Sequence, residues 1–249
     1  MKPTAILFAT LFVCCSLSCS QAISPAAASV AYPPDYAELL KSYVTPTGVR
    51  YAAWHANKAD VERMKQVTEF FASTAAPADR STSLAWHLNA YNAWILNNIL
   101  AKYPTKGPME GEGSFFDRDG IVISGKKTSF NDLEKNVIRP AFKDPRVHFA
   151  LNCASRSCPP LHGKPFDPAT LEADLDRLAR NFIENNPQGV VPESGGRSVR
   201  LSKIFDWYAD DFGGKGNQIA FINRYRKQPL PPDSKSDFID YNWSLNEVP

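Results

Sequence analysis

The segment His148–Cys158 contains two cysteines and a histidine, residue types that can carry out covalent chemistry. A cysteine thiolate is a strong nucleophile, and a nearby base or positive field needs only to lower its pKa from about 8.5. Cys153 is the candidate nucleophile because it follows an apolar run, Val147–Asn152, at the start of a polar loop. This pattern favours a cysteine-dependent hydrolase or transferase acting on an amide or an ester.

Several residues could activate or orient such a thiol. We predict that Val147–Asn152 is a buried strand, which would place His148 and Cys153 on opposite faces, about 16 Å apart. Direct pairing would then need a bulge or a turn, so His162 and His87 are also available imidazoles. We expect the base to be His148 or His162, with Glu134 as a possible carboxylate to orient it.

Asn89 and Asn92 lie inside a strongly apolar stretch and could orient a base, as an asparagine does in Cys-His-Asn hydrolases. The alternative is that both side chains hydrogen-bond backbone groups in the core. We favour the alternative, because an unpaired buried polar group costs about 1–3 kcal/mol.

The two cysteines also have structural interpretations. A Cys153–Cys158 disulfide would stiffen the loop and would suit a noncatalytic module that binds an envelope partner. A redox-active pair is a further alternative, although the spacing is not C-x-x-C. A zinc site formed by His148, Cys153, Cys158 and His162 is chemically sensible, but its spacing has no C-x2-C knuckle.

The N-terminus has the three regions of a signal peptide. Lys2 provides the positive charge, Ala5–Leu17 is an apolar run too short to span a bilayer, and both Ser20–Ala22 and Ala26–Ala28 fit a cleavage site. Cys19 allows a second interpretation as the acylated cysteine of a lipoprotein, although Ser16 is not the aliphatic residue expected before it. We therefore expect residues 1–22 to be a signal peptide and the protein to be exported, as a periplasmic, secreted or lipid-anchored chain.

The composition narrows the function classes. A formal net charge of +2 argues against a nucleic-acid partner. There is no glycine-rich phosphate or dinucleotide motif, so no cofactor is expected. Beyond the signal no stretch is apolar enough for a membrane span, which leaves an unknown small-molecule or peptide substrate, or an envelope partner.

The hydrophobic periodicity predicts mostly helices. Helices are expected over about 36–43, 58–71, 81–102, 132–138, from 167 through Phe182, 202–212 and 217–226, with strands at 121–123, 147–152 and 239–243. The helix near 81–102 has little polar face and should be central and buried. The expected class is α+β, with a disordered lead-in over 23–34 and a single globular domain over 35–249.

Four segments together resemble the family called domain of unknown function 547. They are WHLNAYNA at Trp86–Ala93, NDLE at Asn131–Glu134 leading to Ile138-Arg139, HFALNCASRSCPPL at His148–Leu161 and KIFDWYADDF at Lys203–Phe212. The resemblance covers most of the chain after the predicted signal peptide and implies a domain type rather than a reaction.

The chain departs from the family pattern at two positions. The pattern has Glu-His where this chain has Glu134-Lys135, and it has an aliphatic residue at the position of His87. If the missing histidine is a catalytic base in relatives, this protein is impaired or uses another base.

Overall fold

The structure is a computed structural model that describes residues 31–111 and 114–249. The predicted signal peptide, its cleavage site and Cys19 lie outside the described residues. The last part of the predicted lead-in lies inside them, where Tyr32 packs against Phe71 and the first helix begins at Pro34.

The N-terminal part of the fold is a helical layer. It consists of α1 (Pro34–Tyr43), α2 (Tyr51–Ala56) and α3 (Lys58–Ser73), with a short antiparallel pair, β1 (Val44–Thr45) and β2 (Gly48–Val49), after α1. The sequence places Val61, Met64, Val67 and Phe71 at helical spacing; Met64, Val67 and Phe71 are buried, and Val61 is partly buried.

Helix α4 (Arg80–Lys102) is the centre of the molecule, as its nearly continuous apolar sequence predicts. The side chain of Asp79 caps its start by accepting a hydrogen bond from the backbone of Thr82. Trp86 and Leu88 are fully buried, and α3 packs along this helix.

A hairpin of β3 (Ile121–Ile123) and β4 (Lys126–Thr128) precedes a longer helical stretch than expected. Ser129 caps α5 (Phe130–Asp132), which continues through a π-helical turn, Leu133–Ile138, into α6 (Arg139–Phe142). The predicted end at Arg139-Pro140 is wrong. Pro140 has no N–H to donate within a helix, and here it stands at the start of α6, just after the π-helical turn.

The predicted strand over 147–152 is also wrong. Pro145–Phe149 is a 3-10 helix, started by Asp144, whose side chain accepts from the backbone of Arg146. A proline after a capping aspartate favours a helical turn, and a short apolar run has no periodicity that separates strand from helix. Phe149 is held there by aromatic contacts with Phe182, Phe205, Phe212 and Phe221.

The C-terminal half adds the remaining helices and a three-stranded sheet. It contains α7 (Leu171–Arg180), a π-helical turn Asn181–Asn185, β5 (Val190–Glu193), a 3-10 turn Ser194–Gly196, β6 (Ser198–Leu201), α8 (Ile204–Trp207), a 3-10 turn Ala209–Phe212, α9 (Gln218–Asn223) and β7 (Lys235–Phe238).

Strand β6 pairs antiparallel with β5 and parallel with β7. The predicted strand over 239–243 is wrong, because the regular strand ends at Phe238 and the following residues run along the cysteine loop instead. The architecture is α+β with mostly helices, as predicted. Among residues 31–111 and 114–249, no helix has the length and apolar character needed to cross a bilayer.

Candidate functional site

A cleft between the π-helical turn, the cysteine loop, α8 and the C-terminal segment brings together Glu134, His148 and Cys153. Its cavity volume is about 180 Å³, which leaves room for a small group rather than a drug-sized ligand. Its lining residues are Tyr91, Phe116, Asn131, Glu134, His148, Leu151, Cys153, Cys158, Ile204, Trp207, Tyr208, Tyr241 and Trp243.

The loop that presents Cys153 is held by side-chain hydrogen bonds to its backbone. Ala154 has φ 61°, an uncommon left-handed conformation for a residue with a side chain, and it is fully buried. The buried Asn152 supports this conformation, because its Oδ1 accepts from the backbone of Ala154 at 2.9 Å and its Nδ2 donates to the carbonyl of Pro159 at 2.8 Å. Strain fixed by its surroundings is typical of functional loops.

The sulfur of Cys153 lies among hydrogen-bonding groups. It is 3.0 Å from the hydroxyl of Ser155 and 3.2 Å from that of Tyr241. Burial raises the pKa of the Cys153 thiol, but the hydrogen bonds of Cys158, Ser155 and Tyr241 outweigh burial and lower this pKa to about 7. A thiolate is thus accessible near neutral pH.

The thiol of Cys158 has a raised pKa, unlike the thiol of Cys153. It is buried, and burial together with the neighbouring Cys153 raises its pKa well above the ordinary range. Its sulfur accepts a hydrogen bond from the backbone N–H of Cys153 at 3.0 Å. Both residues are free thiols in the structure, so the predicted alternative of a disulfide is not formed there.

The C-terminal segment delivers Tyr241 to the cleft. Its backbone pairs with the cysteine loop: the N–H groups of Arg156 and Ser157 donate to the carbonyls of Ser244 and Asn242. This pairing also brings Trp243 to the mouth, where its ring centroid lies 5.7 Å from that of Trp207.

The imidazole of His148 is fixed by an acidic residue that the sequence analysis did not select. Its Nε2 lies 2.7 Å from Oδ2 of Asp211, and Arg139 binds both oxygens of the same carboxylate, at 2.6 and 3.1 Å. The hydrogen bond of His148, followed by that of Arg139, holds the pKa of Asp211 well below its usual range despite burial. Tyr208 stacks on the imidazole with 3.9 Å between centroids.

This arrangement defines the role of each imidazole nitrogen. An ionised carboxylate only accepts, so Nε2 of His148 donates to Asp211. In the neutral imidazole, Nδ1 then carries the free lone pair, and it lies 3.8 Å from Oε1 of Glu134. His148 is thereby oriented as a base towards the cleft.

Glu134 lies on the π-helical turn and is 6% exposed. Its Oε1 accepts no hydrogen bond from any of the described residues. Burial and the adjacent Glu134 raise the pKa of Tyr208, so the phenol stays protonated. The next residue, Lys135, is exposed and outside the cleft lining, so the histidine expected there from the family pattern has no counterpart in this site.

Asn89 and Asn92 each hydrogen-bond backbone groups with both ends of the amide. Asn89 donates to the carbonyl of Phe166 and accepts from its N–H, at 2.9 and 2.8 Å. Asn92 donates to the carbonyl of Ala150 and accepts from the N–H of Asn152, both at 2.9 Å. The predicted backbone role is confirmed for both, and Asn92 holds the segment that leads to Cys153.

The other two candidate histidines, His162 and His87, lie elsewhere. His162 lines a separate cavity, where its Nδ1 accepts from Arg177 at 3.1 Å. His87 is buried within α4, with Nδ1 2.7 Å from the carbonyl of Ser83. The four residues of the predicted zinc site are therefore divided between two cavities, and no group of three potential metal ligands occurs among residues 31–111 and 114–249.

Three contributors to the site were missed: Asp211, Tyr241 and Ser155. Asp211 lies in the KIFDWYADDF segment that carries the family resemblance, but the sequence analysis does not select it. Tyr241 was assigned to a strand because it alternates with Ile239 and Trp243. For Ser155 the signal was its position two residues after the nucleophile, where a hydroxyl can reach the sulfur.

Comparison with known proteins finds a similar family for part of the chain and no described activity. No curated protein and no solved structure matches the chain. A family model matches residues 76–183, which include α4, the π-helical turn with Glu134 and the loop with Cys153. Its description is "Protein of unknown function, DUF547", and the match shows that this part of the chain is similar to that family.

Proposed function

We propose that the protein is a thiol-dependent acyl hydrolase or transferase with Cys153 as its nucleophile. The observation that carries the proposal is the lowered pKa of Cys153 in a cleft that also contains an imidazole oriented by a carboxylate. A nucleophile with a positioned base in one cleft is the usual arrangement for covalent acyl transfer.

The reaction would have two steps. The thiolate of Cys153 attacks the carbonyl carbon of an ester or amide, forming a thioester as the bond to the leaving alcohol or amine breaks and that group takes up a proton. Water or another acceptor then attacks the thioester carbon, giving up a proton, and the thiolate is released. Nδ1 of His148 is the group in the cleft best suited to accept that proton.

The residues that line the cleft are suited to binding a small substrate, or one side chain of a larger substrate, rather than a large protein surface. Cys153 is partly exposed, and the residues around it are mostly aromatic and aliphatic. Asp211 and Arg139 form a bidentate ion pair behind His148, which fixes the imidazole without occupying the cleft.

The test uses p-nitrophenyl acetate, a generic activated ester. Intact mass spectrometry of the protein should show one acetyl group, and peptide mapping should place it on Cys153. The variant Cys153→Ala keeps Cys158 and should not be acetylated, which makes it the matched control. Acetylation of lysines alone, or equal acetylation of the variant, would reject the proposal.

We also propose that the chain is exported, because a positive residue, an apolar run and small residues follow one another at its start. N-terminal sequencing of the mature protein should begin at about residue 20 to 28. A diacylglyceryl mass on Cys19 would select the lipid-anchored form, and an intact Met1 would reject export.

A further inference from the structure

Glu134 presents an unpaired acceptor inside the cleft. The residue is 6% exposed, and its Oε1 accepts no hydrogen bond among the described residues. A buried carboxylate oxygen without a donor is costly, so a ligand that supplies an N–H would be bound strongly at this point.

The charges around Glu134 favour a cationic donor. Among the described residues that line the cleft, none is lysine or arginine. Arg139 donates hydrogen bonds to both carboxylate oxygens of Asp211 and balances the negative charge of that residue. Arg139 also interacts with Glu134 electrostatically, but from outside the cleft lining, and a Cys153 thiolate adds negative charge to the same cleft.

Aromatic rings form the mouth of the cleft. Trp207 is 47% exposed, and its ring centroid lies 4.8 Å from that of Tyr241 and 5.7 Å from that of Trp243. The faces of indole and phenol rings attract ammonium groups, most strongly for tryptophan. An exposed aromatic mouth above an unpaired buried carboxylate is complementary to a cation that also has an apolar chain.

We propose that the cleft binds substrates that carry a primary ammonium group on an alkyl chain, with Oε1 of Glu134 accepting from the ammonium and the rings of Trp207, Tyr241 and Trp243 covering the chain. This inference rests on the proposed acyl transfer, because the ammonium group belongs either to the acyl donor or to the amine that accepts the acyl group. The binding itself needs no reaction.

The experiment therefore measures binding in the variant Cys153→Ala, which cannot form a thioester. Tryptophan fluorescence at pH 8 is followed during titration with n-butylammonium, tetramethylammonium and 1-butanol, which have the same number of non-hydrogen atoms. We expect n-butylammonium to bind at least about 10-fold more tightly than 1-butanol, because both can donate to Glu134 but only the ammonium donor is itself charged, which makes its hydrogen bond to a carboxylate stronger. Tetramethylammonium, which has no N–H, should bind with intermediate affinity.

Further substitutions in the Cys153→Ala variant identify the side chains that cause the preference for n-butylammonium. Glu134→Gln keeps the shape and should remove most of the preference for n-butylammonium over 1-butanol. Glu69→Gln, at an exposed position of α3, is the matched control and should change nothing. Trp207→Leu should weaken both cations about 2- to 5-fold.

Equal binding of 1-butanol and n-butylammonium, or no binding of any probe, would overturn the inference. So would a preference that survives Glu134→Gln. Acetylation of Cys153 by p-nitrophenyl acetate is measured separately, so the acyl-transfer proposal can fail while ammonium binding holds, and the reverse.

Discussion

Tyr241 places its hydroxyl 3.2 Å from the sulfur of Cys153, although 88 residues separate the two along the chain. The same hydroxyl lies 3.1 Å from that of Ser155, so the sulfur and two hydroxyls form a compact triangle. The backbone of the C-terminal segment pairs with the cysteine loop to make this possible. The C-terminus is therefore part of the candidate site.

The first prediction concerns the titration of Cys153. Its reaction with iodoacetamide should increase with pH with a midpoint at about 7, because the thiolate is the reacting form. Tyr241→Phe and Ser155→Ala each remove one hydrogen bond to the sulfur, so each should move the midpoint upward towards the ordinary range near 8.5. Peptide mass spectrometry at a series of pH values measures the rate for Cys153 and Cys158 separately.

Cys158 is the internal control for this measurement. Its raised pKa and burial predict slow alkylation throughout the same pH range. A Cys153 midpoint near 8.5 in the unmodified protein, or equal rates for the two cysteines, would contradict the assignment of Cys153 as an activated thiol.

The second prediction concerns the pair of His148 and Asp211. After acetylation of Cys153, loss of the acetyl group should slow by about 10²-fold or more in His148→Ala, because a positioned base contributes about that factor. Asp211→Asn removes the charge that holds His148 and should also slow this step. The time course of the acetylated mass after removal of excess ester gives the rate.

His162→Ala is the matched control, since His162 is a buried histidine in a different cavity. It should leave the rate of deacetylation unchanged. An equal effect of the His162 and His148 substitutions would contradict the choice of His148 as the base.

The sequence allowed His148 to be proposed as a base, but it did not predict the position of His148 relative to Cys153. The assignment of Val147–Asn152 to a strand put His148 and Cys153 on opposite faces, whereas the 3-10 helix Pro145–Phe149 lets both line one cleft. A short apolar run does not distinguish the two conformations, because burial from all sides removes the polar positions that reveal a period. The aromatic residues that surround Phe149 come from distant parts of the chain.

Helix α4 was predictable because the residues that define it are close together in the sequence. Its length and capping residue mark it from local sequence alone, and burial of Asn89 and Asn92 required that both be hydrogen-bonded. Which backbone groups they bind is a tertiary property. Likewise, nothing local shows that Asp211 meets His148, because the two are 63 positions apart and the contact depends on packing of the C-terminal helices.

The third prediction separates a positioning role of Asn92 from a purely structural one. Asn92→Leu leaves the carbonyl of Ala150 and the N–H of Asn152 unpaired, which should lower the free energy of unfolding by about 2–5 kcal/mol. It should also change the rate at which Cys153 is alkylated, since Asn152 supports the turn at Ala154. Urea denaturation and iodoacetamide kinetics provide the two measurements.

Asn89→Leu is the matched control in the same helix. It loses the equivalent pair of hydrogen bonds to Phe166 and should be destabilised by a similar amount, but alkylation of the folded protein at Cys153 should be unchanged. If both variants alter the thiol equally, Asn92 is only a core residue. Near-wild-type stability with a changed thiol in Asn92→Leu would instead assign it to the site alone.

The last prediction concerns acid stability and His162. Burial lowers the pKa of His162 to about 4, from an ordinary value near 6.5, although the neighbouring Asp174 opposes the shift. The unfolded chain therefore takes up a proton on this residue at a higher pH than the folded chain does. The stabilising contribution is complete above about pH 6.5 and is lost as the pH falls towards 4, with about 2 kcal/mol lost between pH 7 and pH 5. Asp174 does not titrate in this window, because its pKa is lowered to about 2 by Lys164 and Arg177 despite burial.

The variant His162→Gln keeps an acceptor for Arg177 but cannot take up this proton. Its loss of unfolding free energy between pH 7 and pH 5 should therefore be smaller by about 2 kcal/mol, as measured by urea denaturation at the two pH values. An identical pH dependence in the variant and the unmodified protein would show that His162 does not enter the folded core in its neutral form.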